Sequence, residues 1–326
     1  MRAGIVGAGR MGSIHARSLA AAGHELVVHD RDAAAGAALA RQVDGDVADL
    51  DELLERCDAL VVATPANERM PLLLRALSTG LPIFCEKPLA TSVAQGVELV
   101  DAADHHGATV HMGFQRRCDP QYLALRRRIE TGRLGRPLMV RATAYDHRPP
   151  PEDYAEPEDG IFADCLIHDI DAATWLTGQE PVGVLADGAQ LLSPSPQRSY
   201  YDIATLVITY AGGCRAVLTA SRMDPLGYDH RMEILGTADS VSVGLTGRSP
   251  LHLVETGAPP TDGSGPAWRG FSDRFAEGYK TEMRVFADMV TNGTPSPCSP
   301  REALTAQRVA AAAALSARTG RHQLVH

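Results

Sequence analysis

The sequence predicts an α/β protein of two domains, a doubly wound parallel sheet followed by a second α/β domain with a mostly antiparallel sheet. Three observations carry this prediction. Over the first third, short apolar runs alternate with helical patterns, as in βαβ units. A glycine-rich turn follows the first of these runs. From Pro137 onward the runs lengthen and alternate in polarity between glycine-containing turns, which suits a sheet with one covered face.

Taken in order, strands are expected at AGIVG (3–7), ELVVH (25–29), ALVVAT (59–64), LPIFCE (81–86) and ATVHM (108–112), with helices between them, the first opening at Arg10. A helix from Asp119 to Thr131 follows. The change of period near residue 120 sets a boundary between a domain at 1–118 and a domain at 119–326. The second domain holds the β runs PLMVRATAY, DIATLVITY, CRAVLTAS and HRMEILG, then helical patterns from Phe271 to Thr291 and from Arg301 to Arg318, ended by Gly320. Two stretches rich in proline, glycine and acid, 147–160 and 255–270, read as mobile surface or as lids over a site.

The composition narrows the function classes. A chain of 326 residues is longer than the roughly 100 to 200 that one domain uses. With 44% hydrophobic and 22% charged residues it is a soluble globular type. A net charge of −9 argues against nucleic-acid binding, and the short cluster Arg126, Arg127, Arg128 does not overturn that. Six scattered cysteines lack disulfide-scaffold density and CxxC spacing, so they read as reduced thiols and the expected location is the cytoplasm. The first apolar run is too brief for a signal peptide, and no run approaches the roughly 18 apolar residues of a membrane span. His105 and His106 have no partners at ligand spacing, so no metal site is expected.

GIVGAGRMGSIH places Gly7, Gly9 and Gly12 as GxGxxG after a strand and at the opening of a helix. That context suits a dinucleotide: a tight turn, close backbone approach to a pyrophosphate, close helix packing, and amide hydrogens at a helix N-terminus. Arg10 and Met11 fall inside the loop. Asp30 stands at about the required 20 residues past the motif, where an acid accepts hydrogen bonds from ribose hydroxyls. It would repel a 2′-phosphate, which favours NAD over NADP, whereas Arg31 is placed to pair with such a phosphate. Thr64 and Pro65, with Asn67 beyond them, end another strand on the side where ligands bind. They read either as cofactor contacts or as a simple turn.

FCEKPLA delivers Glu86 and Lys87 at the end of a further strand, where a nicotinamide would project. With the glycine loop, CEKPLA, GFQRRCDP (113–120) and DCLIHDID (164–171), the chain resembles the Gfo/Idh/MocA oxidoreductases over essentially its whole length. The resemblance implies an N-terminal Rossmann domain and a C-terminal α/β domain with an open, mostly antiparallel sheet used for substrate binding and oligomerisation, in a homodimer or homotetramer. GFQRRCDP and AYDHRPPP are most similar to inositol 2-dehydrogenases and their near relatives, with Gln115 a candidate cofactor contact. Many members carry a histidine shortly after the Thr-Pro pair; this chain has Arg69 there.

Lys87, Asp164 and His168 match the family's catalytic lysine and Asp/His pair. Asp164, His168 and Asp171 recur at spacings of four and three on a helix expected over 161–177, which forms one polar stripe. A neutral imidazole, with a usual pKa of about 6.5, suits removal of a hydroxyl proton near neutrality. His168 is therefore the expected base, Asp164 the group that orients it, and Lys87 the ammonium that stabilises developing negative charge. Asp171 reads as a substrate contact or a structural hydrogen bond, and Asp146, Tyr279 and Arg116 are weaker candidates for the substrate side.

The expected function is hydride transfer between NAD and a secondary alcohol of a cyclic polyol or sugar, an inositol above all. The alternatives are a dehydrogenase of another sugar or aminocyclitol precursor, an NAD-dependent redox glycosidase or lyase, and a dinucleotide-responsive regulator without turnover.

Overall fold

The computed structural model describes residues 1–151, 157–192, 201–251 and 266–326. The loops expected at 147–160 and 255–270 fall partly outside these described residues. Two units emerge: Met1–Asp119 with Glu277–Thr305, and Pro120–Ala276 with Ala306–His326.

In the first unit, β1 (Arg2–Val6), α1 (Arg10–Ala21), β2 (Glu25–His29), α2 (Ala33–Gln42), β3 (Asp46–Val47), α3 (Leu50–Arg56), β4 (Ala59–Val62), α4 (Ala66–Leu77), β5 (Ile83–Glu86), α5 (Val93–His106) and β6 (Val110–Gly113) alternate, and a 3-10 turn at Gln115–Cys118 follows. The strands form one parallel sheet in the order β3-β2-β1-β4-β5-β6. The order reverses between β1 and β4, which opens a crevice at the carboxyl ends of those strands. Every residue of β4, β5 and β6 is buried. Such strands are covered on both faces, which is why they read as continuous apolar runs. The sequence reading missed β3, a two-residue strand with both residues exposed and hence no apolar signal.

Helix starts follow local chemistry. Asp32 accepts from Ala34 and Ala35 amides at α2, Asp49 from Glu52 at α3, and Ser92 from Gln95 at α5. Gly107 ends α5 in the left-handed conformation, φ 58°.

The second unit begins with α6 (Pro120–Glu130), β7 (Pro137–Tyr145), α7 (Gly160–Asp164) and α8 (Ile167–Thr177). It continues with β8 (Pro181–Ala189), β9 (Ile203–Tyr210), β10 (Arg215–Ser221), β11 (Asp229–Gly236), β12 (Ser240–Val243) and α9 (Phe271–Arg274). The chain closes with α10 (Ala276–Asn292), α11 (Pro300–Thr319) and β13 (Gln323–Leu324). The second sheet runs β12-β11-β7-β10-β9-β8-β13. Only the β7–β10 pair is parallel among the paired strands described. Alternation marks its two faces: Ala204, Leu206, Ile208 and Tyr210 of β9 are buried, while Ile203 and Thr205 on the opposite face are exposed.

Two expected helices are broken. Over 161–177 the ladder is interrupted: Cys165 N–H and Leu166 N–H both donate to Ile161 O, each at 3.0 Å, so one bond reaches back five residues. A new helix then starts with Ile170 N–H on Leu166 O at 2.8 Å. Asp164 therefore ends α7 and His168 rides on α8. Of the expected polar stripe, Asp171 is buried at 1% exposure, as is its neighbour Asp169 at 0%. Over 271–291, buried Phe275 separates α9 from α10.

Residues 277–305, which the sequence reading placed in the second domain, pack in the first unit. Met283, Phe286 and Met289 of α10 share one apolar cluster with Ala3 and Ile5 of β1, Leu26 and Val28 of β2, Val61 of β4 and Phe84 of β5. The Phe84 ring meets those of His15 at 4.8 Å, His111 at 5.4 Å and Phe286 at 5.8 Å. Burial pushes the His111 pKa down to about 3, so this ring is neutral in the core. Phe286→Ala is expected to cost about 3 to 5 kcal/mol, read as a lowered urea midpoint for unfolding of the first unit; an unchanged midpoint would separate α10 from that core.

Candidate active site

The glycine turn has the geometry its motif requires. Gly7 holds φ 103°, a left-handed conformation open to glycine without a Cβ penalty. A Cβ at Gly12 would run into the Gly7 carbonyl oxygen, so α1 packs against the turn only with glycine there. At Gly9, the N-cap of α1, a Cβ would meet nothing within 4 Å. Open space over a helix N-terminus fits a pyrophosphate. Arg10 and Met11 are the first residues of α1, Arg10 exposed and Met11 half-buried.

Asp30 follows β2 and supports this turn directly. Its Oδ2 accepts from the Ala8 amide at 2.6 Å and its Oδ1 from the Asp32 amide at 2.8 Å. A carboxylate offers about four acceptor positions, so capacity remains for ribose hydroxyls. Arg31 is exposed and paired with Glu68 at 2.7 Å, which draws it away from a 2′-phosphate role.

The departure at Arg69 has a structural counterpart. Its guanidinium, 3% exposed, donates from Nη2 to Thr64 O at 2.6 Å and from Nη1 to Glu86 O and Pro88 O. One side chain on α4 thus ties the segment after β4 to the turn after β5 that carries Lys87. Thr64 is half-buried in that segment, while Pro65 at the N-cap of α4 and Asn67 in its first turn are exposed.

Lys87 is half-buried, and its amide donates to Glu86 Oε2 at 3.1 Å. Glu86 Oε1 lies 2.6 Å from His15 Nε2, with both residues buried. Glu86, expected as a cofactor contact, thus engages its oxygens in anchoring the lysine turn to α1. Gln115 and Arg116 lie in the 3-10 turn, buried at 3% and 1% exposure. Tyr279 is buried on α10, its ring 6.0 Å from that of His15.

A second cluster is built in the other unit. Asp164 Oδ2 accepts from Arg222 Nη1 at 2.6 Å. Arg222, 2% exposed, directly follows β10; its Nη1 also lies 3.1 Å from Cys165 Sγ and 4.0 Å from Asp146 Oδ2. Cys165 Sγ reaches Asp146 Oδ2 at 3.4 Å. The expected residues Asp146 and Asp164 are therefore brought together around one guanidinium, with His168 half-buried on the adjoining helix α8.

Sequence reasoning overlooked Arg222 and His15. His15 carried a usable signal, a histidine on the helix opened by the glycine loop; Arg222 is 58 residues from its partner and had none.

A family described as "Oxidoreductase family, NAD-binding Rossmann fold" matches residues 1–114, and the GFO/IDH/MocA C-terminal domain matches residues 122–242. The chain belongs to the Gfo/Idh/MocA oxidoreductase family. Residues 1–114 are that family's NAD-binding Rossmann domain. The myo-inositol dehydrogenase Hyg17 of Streptomyces leeuwenhoekii is 36% identical, covering 98% of each chain. A scyllo-inositol 2-dehydrogenase (NAD(+)) of Bacillus subtilis is 31% identical, over 98% of this chain and 95% of the relative. The structure of a Lactobacillus casei myo-inositol dehydrogenase in complex with NAD(H) and myo-inositol superposes with a TM-score of 0.87 at 26% identity, covering 100% and 97% of the two chains. Among the described residues, no helix is long and apolar enough to cross a membrane.

Removing one partner of a buried ion pair costs about 3 to 5 kcal/mol. Arg222→Leu is expected to destabilise by that order, with Asp164→Leu on the same background recovering part of it. Denaturant midpoints of the four proteins check this, and strictly additive effects would show the pair uncoupled.

Proposed function

We propose that this oxidoreductase is an inositol 2-dehydrogenase, converting myo-inositol to scyllo-inosose with NAD. The reading is carried by one observation: relatedness to an inositol dehydrogenase at 36% identity over 98% of both chains. Lys87, Asp164 and His168 stand at the family's catalytic positions, as a non-catalytic regulator would not need them to.

NAD, when bound, supplies the hydride acceptor. His168 takes the hydroxyl proton as the carbon–hydrogen bond breaks, and returns it in the reverse reaction. A positioned acid or base of this kind contributes about 10² to 10⁴ in rate. Asp164, held by Arg222, stabilises the imidazolium, and the Lys87 ammonium offsets negative charge growing on the reacting oxygen. Asp146 and Tyr279 act on the substrate side. Gly7, Gly9, Arg10, Met11, Gly12, Asp30, Thr64, Pro65, Asn67 and Gln115 line the cofactor.

A cytoplasmic location is supported by six free cysteines. A homo-oligomer is supported by large apolar residues exposed on the second sheet, Met139, Leu185, Ile203 and Leu235 among them.

The deciding experiment assays inositols, aldoses, ketoses and their glycosides with NAD and with NADP, following reduced nicotinamide. Net NADH formation with a free inositol is expected. No net reduction with any free polyol, alongside cleavage of a glycoside, would overturn the dehydrogenase reading. His168→Ala is expected to lower turnover about 10² to 10⁴-fold while NAD affinity, measured calorimetrically, stays intact. Asp30→Ser is expected to raise the KM for NAD far more than that for NADP; equal effects would remove the ribose assignment.

A further inference from the structure

We infer that His111, Cys118 and Glu282 form a buried site for a divalent metal ion of the zinc class. The three come from β6, the end of the 3-10 turn and α10, all within the first unit. Their exposures are 1%, 2% and 0%. One ligand atom from each lies within 4.8 Å of the others, and His111 Nε2 is 4.0 Å from Glu282 Oε1.

The hydrogen bonding around His111 fixes which ring nitrogen faces the group. His111 Nδ1 is 3.1 Å from Ser296 Oγ, and Ser296 Oγ donates to Cys298 O at 2.8 Å. A hydroxyl carries one proton. With that proton on Cys298 O, Ser296 Oγ accepts from His111 Nδ1–H. Nε2, the acceptor nitrogen of that tautomer, is buried and has no hydrogen-bond partner. It faces a carboxylate, another acceptor, beside a thiol.

An imidazole nitrogen, a carboxylate and a thiol converging on one buried point form a set that a cation between them would hold together. A proton would serve a nitrogen and an oxygen alone; a sulfur as third neighbour points to a metal. A His, Cys, Glu set is a zinc-class donor set, whereas magnesium and calcium take oxygen ligands. A histidine that donates its other N–H to a fixed acceptor is the usual support for a metal ligand. Zinc bonds of about 2.0 to 2.3 Å place tetrahedral ligands roughly 3.4 Å apart. The 4.0 Å gap between His111 and Glu282 therefore closes by a small side-chain shift. A dication with a thiolate and a carboxylate is neutral overall, which suits full burial. The expectation of no metal rested on local spacing, and these ligands stand on three separate elements.

The full chain, expressed in minimal medium supplemented with Co²⁺ in place of zinc, tests this. About one cobalt per chain is expected, with a thiolate-to-cobalt charge-transfer band and the visible bands of tetrahedral cobalt. Cys118→Ser should abolish the charge-transfer band, and His111→Gln should lower bound metal; Cys57→Ser, at the C-cap of α3, should leave both unchanged. Should the site variants fail to fold, the wild-type metal content decides on its own. Wild-type protein without bound metal, or a charge-transfer band that survives Cys118→Ser, overturns the site.

Discussion

A parallel sheet sealed on both faces can meet a ligand only where its strands end, and the chemistry of the first unit is arranged around that constraint. The segments leaving β1, β2, β4 and β5 hold the glycine turn, Asp30, Thr64 and Lys87. Each is fixed by a side chain: Asp30 on the Ala8 amide, buried Arg69 on three carbonyls, buried Glu86 between His15 and the lysine turn. Burying polar groups without partners is costly, so these contacts also rule out other conformations of the same loops. Local order at the edge follows from the depth of the core beneath it.

Most of that edge was legible in the sequence. A glycine loop between an apolar run and a helical pattern has few other uses, and an acid at the right distance narrows them further. The parallel strands were legible because burial on both faces leaves unbroken apolar runs, and the short exposed β3 was invisible for the same reason. The return of α10 to the first unit was not readable, because periodicity reports that a helix has an apolar face and not which sheet the face meets. The break between α7 and α8 was hidden too. Every residue from Ile161 to Leu176 is compatible with a helix, and the interruption coincides with a tertiary bond from Asp164 to Arg222.

The second unit meets a different requirement. Its sheet covers one face with helices, so alternate residues face outward, and that freedom lets the other face change with little effect on the core. Arg222 shows how the covered side is used. A guanidinium buried at the end of β10 gathers Asp164, Asp146 and Cys165, so the placement of an acid on a short helix depends on a strand far along the chain. Family membership agrees with this division, since the two family matches fall on the two kinds of sheet.

The cluster that joins β1, β2 and β5 to Phe286 has a consequence for how the polypeptide is made. Synthesis proceeds from the N-terminus, so the nucleotide-binding part leaves the ribosome long before its covering helix exists. Until α10 emerges, the face bearing Ile5, Val28 and Phe84 lacks part of its cover. The nascent chain must carry that apolar surface through translation of the entire intervening unit. Premature termination anywhere before residue 277 would release a fragment with an exposed adhesive patch, a natural target for chaperones and proteases.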